Sequence, residues 1–164
     1  MASTTPIWFH DGNVAYYILI ANRLGFGDRA VRPGDVIREL LPHKLWLLPN
    51  MAPYVLQFDR GDHFLVYAGK ESSFYASAEG AGRVSDLDPT LVPSDLPGLG
   101  GFFRYMLRFR SVTLFPTPLP ASAVLSKLSF VQNRKYWGLH FRQSVRRISE
   151  KDFQVIVRQG MRAR

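Results

Sequence analysis

The sequence predicts an α+β fold, a small barrel of about five strands with short flanking helices. Three observations predict it. From Phe103 to Phe115 the residues alternate, with Arg104, Met106, Arg108 and Arg110 on one face and Tyr105, Leu107 and Phe109 on the other. Period-two alternation marks a half-buried strand, here with an arginine stripe outward. Between Lys44 and Val84, short apolar runs recur between turn signals: Leu45 to Leu48 before Pro49-Asn50, His63 to Tyr67 after Arg60-Gly61-Asp62, and Phe74 to Val84 around Gly80 and Gly82. Two helix-start signals flank these runs, Arg32-Pro-Gly-Asp near the beginning and Ser149-Glu-Lys-Asp152 near the end.

Taken in order, the elements follow from local chemistry. Asn13 is placed to cap a helix from Val14 to Leu24, since Val14, Tyr17, Ile18 and Ala21 recur at helical spacing and Gly25 follows as a stop. Tyr16 to Ile20 also has strand composition. A second short helix opens at Pro33, buries Val36, Ile37, Leu40 and Leu41, and ends at Pro42. Residues 1–43 are thus expected to form an N-terminal helical extension, and residues 44–164 the main domain. Asp86 to Gly101 holds three Pro and three Gly and reads as a loop. Pro116, Pro118 and Pro120 are expected to break the long strand, and Pro120 to begin a helix to about Leu128. A loop from Val131 to Gly138 follows. The last helix starts at the Ser149 capping box, buries Phe153, Ile156 and Val157, and is expected to stop at Gly160.

Composition narrows the function. With 164 residues, 46% hydrophobic and 21% charged, the chain is long enough to bury its own core without staples. It has no cysteine, which excludes disulfides, thiolate catalysis, zinc fingers and iron–sulfur clusters. No apolar run approaches a membrane span, so a cytoplasmic protein without membrane contact is expected. The formal charge of +8 is uneven. From Arg104 onward there are 13 Lys and Arg against two acids, Glu150 and Asp152, a balance of +11, whereas the first 103 residues stand at −3. Such a basic segment is the electrostatic footprint of a polyanion partner, though it also serves solubility alone.

Enzyme motifs are absent from the sequence. Gly25-Phe-Gly27 fits a dinucleotide turn loosely but closes its segment and has no ribose-binding acid after it. His10, His43, His63 and His140 have no metal-ligand spacing, and Asp59 and Asp62 flank a turn that they shape. No catalytic residue, cofactor or metal is expected. Binding chemistry is better supplied. Trp137 lies in the polar, basic stretch Asn133-Arg134-Lys135-Tyr136-Trp137, where an indole stacks on planar rings and the cations hold phosphates. Asn50 and Asn133 carry amides able to pair with a base edge, and equally able to form turns. Trp46, in an apolar run, fits a core at least as well as a cage, and Tyr67 fits an ordinary strand position.

The stretch Leu128-Ser-Phe-Val-Gln-Asn-Arg-Lys-Tyr-Trp137-Gly, followed by Arg146-Arg-Ile-Ser-Glu-Lys-Asp152-Phe, resembles the C-terminal half of the EVE domain. Leu45-Trp46-Leu-Leu-Pro-Asn50 and Gly61-Asp62 with Tyr67 resemble its earlier strands, and the order agrees over roughly Lys44 to Gln159. The resemblance implies a PUA-like mixed β pseudo-barrel related to YTH domains, which hold a methylated base in an aromatic cage. It implies a non-enzymatic reader of DNA or RNA carrying a modified base, such as a methylated cytosine or adenine, flipped into an aromatic pocket. By position that pocket would use Trp46, Asn50, Tyr67, Phe74, Asn133 and Trp137. Arg104, Arg108, Arg110, Arg134, Lys135, Arg142, Arg146 and Arg147 are the expected phosphate contacts. EVE domains are often fused to restriction nucleases, and the apolar helix candidates in residues 1–43 make that segment a candidate docking surface for a nuclease or another protein. Two alternatives stay open: an RNA-binding PUA-like protein without modification specificity, and a nucleic-acid- or nucleotide-modifying enzyme.

Overall fold

A computed structural model describes residues 14–22, 24–26, 29–92, 103–132 and 135–162. Nine strands and two α-helices are found among these residues: β1 (Tyr16–Ala21), β2 (Leu24–Phe26), β3 (Arg29–Val31), α1 (Pro33–Leu40), β4 (Leu45–Pro49), β5 (His63–Ala68), β6 (Ser73–Gly80), β7 (Ser85–Asp86), β8 (Phe103–Pro120), β9 (Val145–Ile148) and α2 (Glu150–Arg162). Seven strands form one mixed sheet in the order β4-β8-β6-β5-β1-β9, with β7 beside β8; β2 and β3 make a separate hairpin.

The long strand β8 curls this sheet. Its first part pairs with β4 (Leu45 opposite Arg108) and its second with β6 (Gly80 opposite Phe109, Ser73 opposite Pro120). Register shifts at Leu48/Pro49, Phe74/Ala76 and Glu79/Gly80 add the unpaired residues that bend strands. Pro116 and Pro118 fall within one such shift, on a stretch with no β4 partner. A missing N–H costs little there, so the strand continues through the prolines expected to break it.

β1 is the main departure from the sequence reading. A helix is expected over Val14 to Leu24; Tyr16–Ala21 is instead a strand, parallel to β5 and antiparallel to β9. Tyr17, Leu19 and Ala21 enter one core, and Ile18 and Ile20 the other. A segment buried on both faces is apolar all round, and helical spacing found in it carries no information. The first 43 residues thereby contribute a strand to the interior of the sheet, and Gly25 lies in the β2–β3 hairpin opposite Ala30 rather than at a helix end. Asn13, the expected cap, lies outside the described residues.

Two further expectations change. The helix expected from Pro120 to Leu128 is a pair of 3-10 turns, Ala121–Ala123 and Leu125–Lys127. Gly160 does not stop α2, which runs to Arg162; a Cβ on Gly160 would overlap the ring of Phe115, so the glycine is a point of close approach. α1 appears as the sequence predicts, and Ser149 caps α2, although the Asp152 carboxylate turns to Ser129 instead of completing a capping box. Asp152 N–H donates to Ser149 Oγ at 3.1 Å, and Phe153 N–H to Ser149 O at 3.1 Å.

Two cores lie on the two faces of the sheet. One contains Trp46 and Phe64 under α1; the other contains Tyr67, Phe74 and Phe141 against α2. The turn before β5 is held by Asp62, which is fully buried. Its carboxylate accepts from Ala15 N–H at 3.0 Å and Asp59 N–H at 2.9 Å, which joins the turn to the start of β1. No helix among the described residues is long and apolar enough to cross a membrane.

Candidate functional site

Segments distant in sequence meet at one end of the sheet. Ile20 N–H donates to Ser144 O at 2.9 Å, which sets the residue before β9 beside the end of β1. Pro49, at the end of β4, pairs with Phe103, at the start of β8. α1 covers the space between them. The result is a cavity of about 90 Å³, walled by Val36, Leu40, Trp46 and Phe103 on its apolar sides, with Asn22 and Ser144 supplying polar groups. A broader cleft of about 450 Å³ shares Pro49 and Ser144 with it and is lined further by Met51, Ala52, Pro53, Arg142 and Gln143. An apolar cavity with a few convergent polar groups is the usual form of a small-molecule or base site.

The position of Asn22 depends on a glycine. Gly69 N–H donates to Ala21 O at 2.8 Å, and a Cβ on Gly69 would come within 2.7 Å of Asn22 Oδ1. Only a residue without a side chain lets the Asn22 amide lie there.

The sequence-predicted base contacts divide into two groups. Trp46, 3% exposed, lines the cavity, and Asn50 is exposed in the turn directly after Pro49. Tyr67, Phe74 and Trp137 gather on the opposite face of the sheet around Phe141. Tyr67 stacks on Phe141 at 4.5 Å, Phe74 meets it edge-on at 6.1 Å, and Trp137 edge-on at 5.9 Å. Tyr67 and Phe74 are fully enclosed, and burial raises the Tyr67 phenol above its usual range; Trp137 is half-buried. Asn133 lies outside the described residues. Phe141 directly precedes Arg142, Gln143 and Ser144, so this aromatic group anchors the segment that lines the cleft.

The basic residues also differ in setting. Arg142 is exposed and lines the cleft, and Arg104 is exposed next to Phe103 at the same end of β8. Arg104 lies 3.7 Å from Asp86 and over the ring of Tyr105. Arg108 pairs across from Leu45, at the far end of β4, and Arg110 bonds Glu79 at 3.2 Å. Arg147 is exposed on β9, and Lys135 sits over the ring of Tyr136. Arg146 is half-buried over the ring of Phe130, 4.5 Å from its centre, and burial holds its pKa below the usual arginine value. Arg134 lies outside the described residues. No group of three His, Asp or Glu among the described residues is placed to hold a metal ion.

No family model and no curated protein matches the sequence. Solved structures do match the fold. The DUF55 domain of human thymocyte nuclear protein 1 superposes with a TM-score of 0.55 at 13% identity, covering 90% of this chain and 99% of that one. Human THYN1 protein in complex with 5-methylcytosine-containing DNA gives 0.54 at 12% identity, covering 92% and 99%. Protein Atu2648 from Agrobacterium tumefaciens gives 0.55 at 14% identity, covering 92% and 97%.

This chain has the PUA-like fold of the DUF55 domain. The match covers 90% of this chain. Within the DUF55-type fold, the cavity residues that sequence reasoning missed are Asn22, Phe103 and Ser144. Asn22 falls in the expected helix and Phe103 at the start of the expected strand, and nothing in either local pattern, or in that of Ser144, marks a cavity residue. Their only signal is three-dimensional, in the pairing that brings strand ends together.

Proposed function

We propose that this chain binds nucleic acid and reads a modified base in the cleft between Trp46, Asn22, Pro49 and Ser144. The observation that carries the reading is the cavity itself, lined by Trp46, Asn22 and Ser144, together with the adjoining cleft lined by Arg142. The fold supports it, since a protein of the same fold was solved with 5-methylcytosine-containing DNA.

The energetics are consistent. Taking a base out of its stack costs a few kcal/mol, and stacking against an aromatic wall returns about 1–3 kcal/mol per base. The Asn22 amide and the Ser144 hydroxyl offer donors and acceptors to the base edge, and Asn50 is next to the opening. Burying a methyl group against apolar walls adds about 0.8 kcal/mol, enough for preference rather than absolute selection. Arg142 and Arg104 supply phosphate contacts closest to the cleft, which raise affinity without reading sequence. In this reading Tyr67, Phe74 and Trp137 act through Phe141, by holding the Arg142–Ser144 segment, rather than by touching the base. The chain recognises and does not convert its ligand.

The test is a titration of matched duplexes with and without 5-methylcytosine or N6-methyladenine, with RNA of the same sequence alongside. Tighter binding of one modified duplex supports the reading. Tighter binding of RNA irrespective of modification favours a general RNA-binding role, and product formation in the same mixtures would contradict a purely binding function.

A further inference from the structure

We infer that Met51 is a wedge that enters the base stack of duplex DNA and fills the gap left by the base in the cleft. The inference rests on a base leaving the stack for that cleft. Met51 is 88% exposed, the most exposed large apolar side chain among the described residues. Exposure of that degree leaves the whole apolar side chain available to a partner. The Met51 backbone is set by a turn. Ala52 N–H donates to Pro49 O at 3.2 Å, closing a turn that carries Met51 at its tip, directly after the strand that bears Trp46. Met51 and Arg142 both line the outer cleft, so an apolar tip and a cation flank one opening.

That pairing of groups suits a duplex. A base that swings out leaves an apolar void between its neighbours, while its phosphates stay at the groove edge. Apolar side chains, methionine among them, are inserted between base steps by proteins that deform DNA. Methionine is unbranched and adapts to an irregular gap. Arg142 meets the backbone that the displaced nucleotide drags toward the cleft. Single-stranded DNA has no stack to be filled, so the wedge acts on duplex only.

The experiment compares wild type, Met51→Ala and Met51→Leu in binding the same methylated sequence as duplex and as single strand. The expected result is a loss of roughly tenfold or more for Met51→Ala on the duplex and less than about twofold on the single strand, with Met51→Leu close to wild type. Equal loss on both forms, or no loss on the duplex, overturns the wedge. The base reading is judged separately, by the ratio of methylated to unmethylated affinity for wild type in the same titrations. A duplex-only defect of Met51→Ala with no methyl preference overturns the modified-base reading and leaves the wedge standing.

Discussion

Asp152 accepts two hydrogen bonds from Ser129, one from its backbone N–H at 3.0 Å and one from its hydroxyl at 2.5 Å. The two residues are 23 positions apart, and each belongs to one half of the sequence pattern that resembles EVE domains. Asp152 is 1% exposed and also occupies the first turn of α2, where the helix N-terminus favours its charge. One carboxylate thus ties the segment leading to Trp137 onto the helix that closes the second core.

Replacing Asp152 with Ala removes both bonds to Ser129. Ser129 is exposed and its donors turn to water, so the expected cost is the net worth of the bonds, about 0.5–1.5 kcal/mol each. For a chain of this size that lowers Tm by roughly 2–4 °C per kcal/mol. Thermal unfolding followed by circular dichroism measures it, and a change within error would mean that Ser129 finds other partners.

Gly69→Ala tests the architecture of the cavity from outside it. The added methyl must displace the Asn22 amide. If that amide pairs with the bound base, the variant loses up to about tenfold in affinity, the value of one hydrogen bond. The chain stays folded, as a spectrum unchanged from wild type would show. Full affinity would remove Asn22 from the binding set.

The pH dependence of stability has a defined window. Tyr17 is pushed up to about 12, first by burial and then by the charge of Asp62. Tyr75 is pushed up to about 12 by burial and by its hydrogen bond to Glu71. Both phenols ionise near 10.0 when unfolded. The unfolded chain therefore releases these protons first as the pH rises, and the stability they contribute is full below pH 10 and lost toward pH 12. Urea midpoints measured across that range should fall steadily, and Tyr75→Phe should flatten part of the fall. A constant midpoint would contradict the assignment.

What the sequence made legible was local. The Ser149 cap, the Pro33 helix start and the strand over Arg104 to Phe109 each depend on neighbours within a turn or two, and each is found where expected, although Met106, expected outward with the arginines, is buried. β1 was not legible as a strand, because burial on both faces erases the difference between period 2 and period 3.6. Of the expected base contacts, Trp46 lines the cavity and Asn50 lies in the turn after Pro49, but the sequence offers no means of telling that Tyr67 and Phe74 face the other core. Alternation assigns sides within one strand, and the relation between strands is set by bulges and pairing. Asn22 and Ser144 were invisible because they meet through a pairing between β1 and the start of β9.

The most direct test of the central claim is the ratio of affinities for two duplexes that differ only by one 5-methylcytosine. The account predicts tighter binding of the methylated duplex by about fourfold from methyl burial alone. It also predicts that Ser144→Ala weakens binding of the methylated duplex while the salt dependence set by Arg142 and Arg104 is unchanged. Equal affinity for the two duplexes, with Ser144→Ala indistinguishable from wild type, would contradict it.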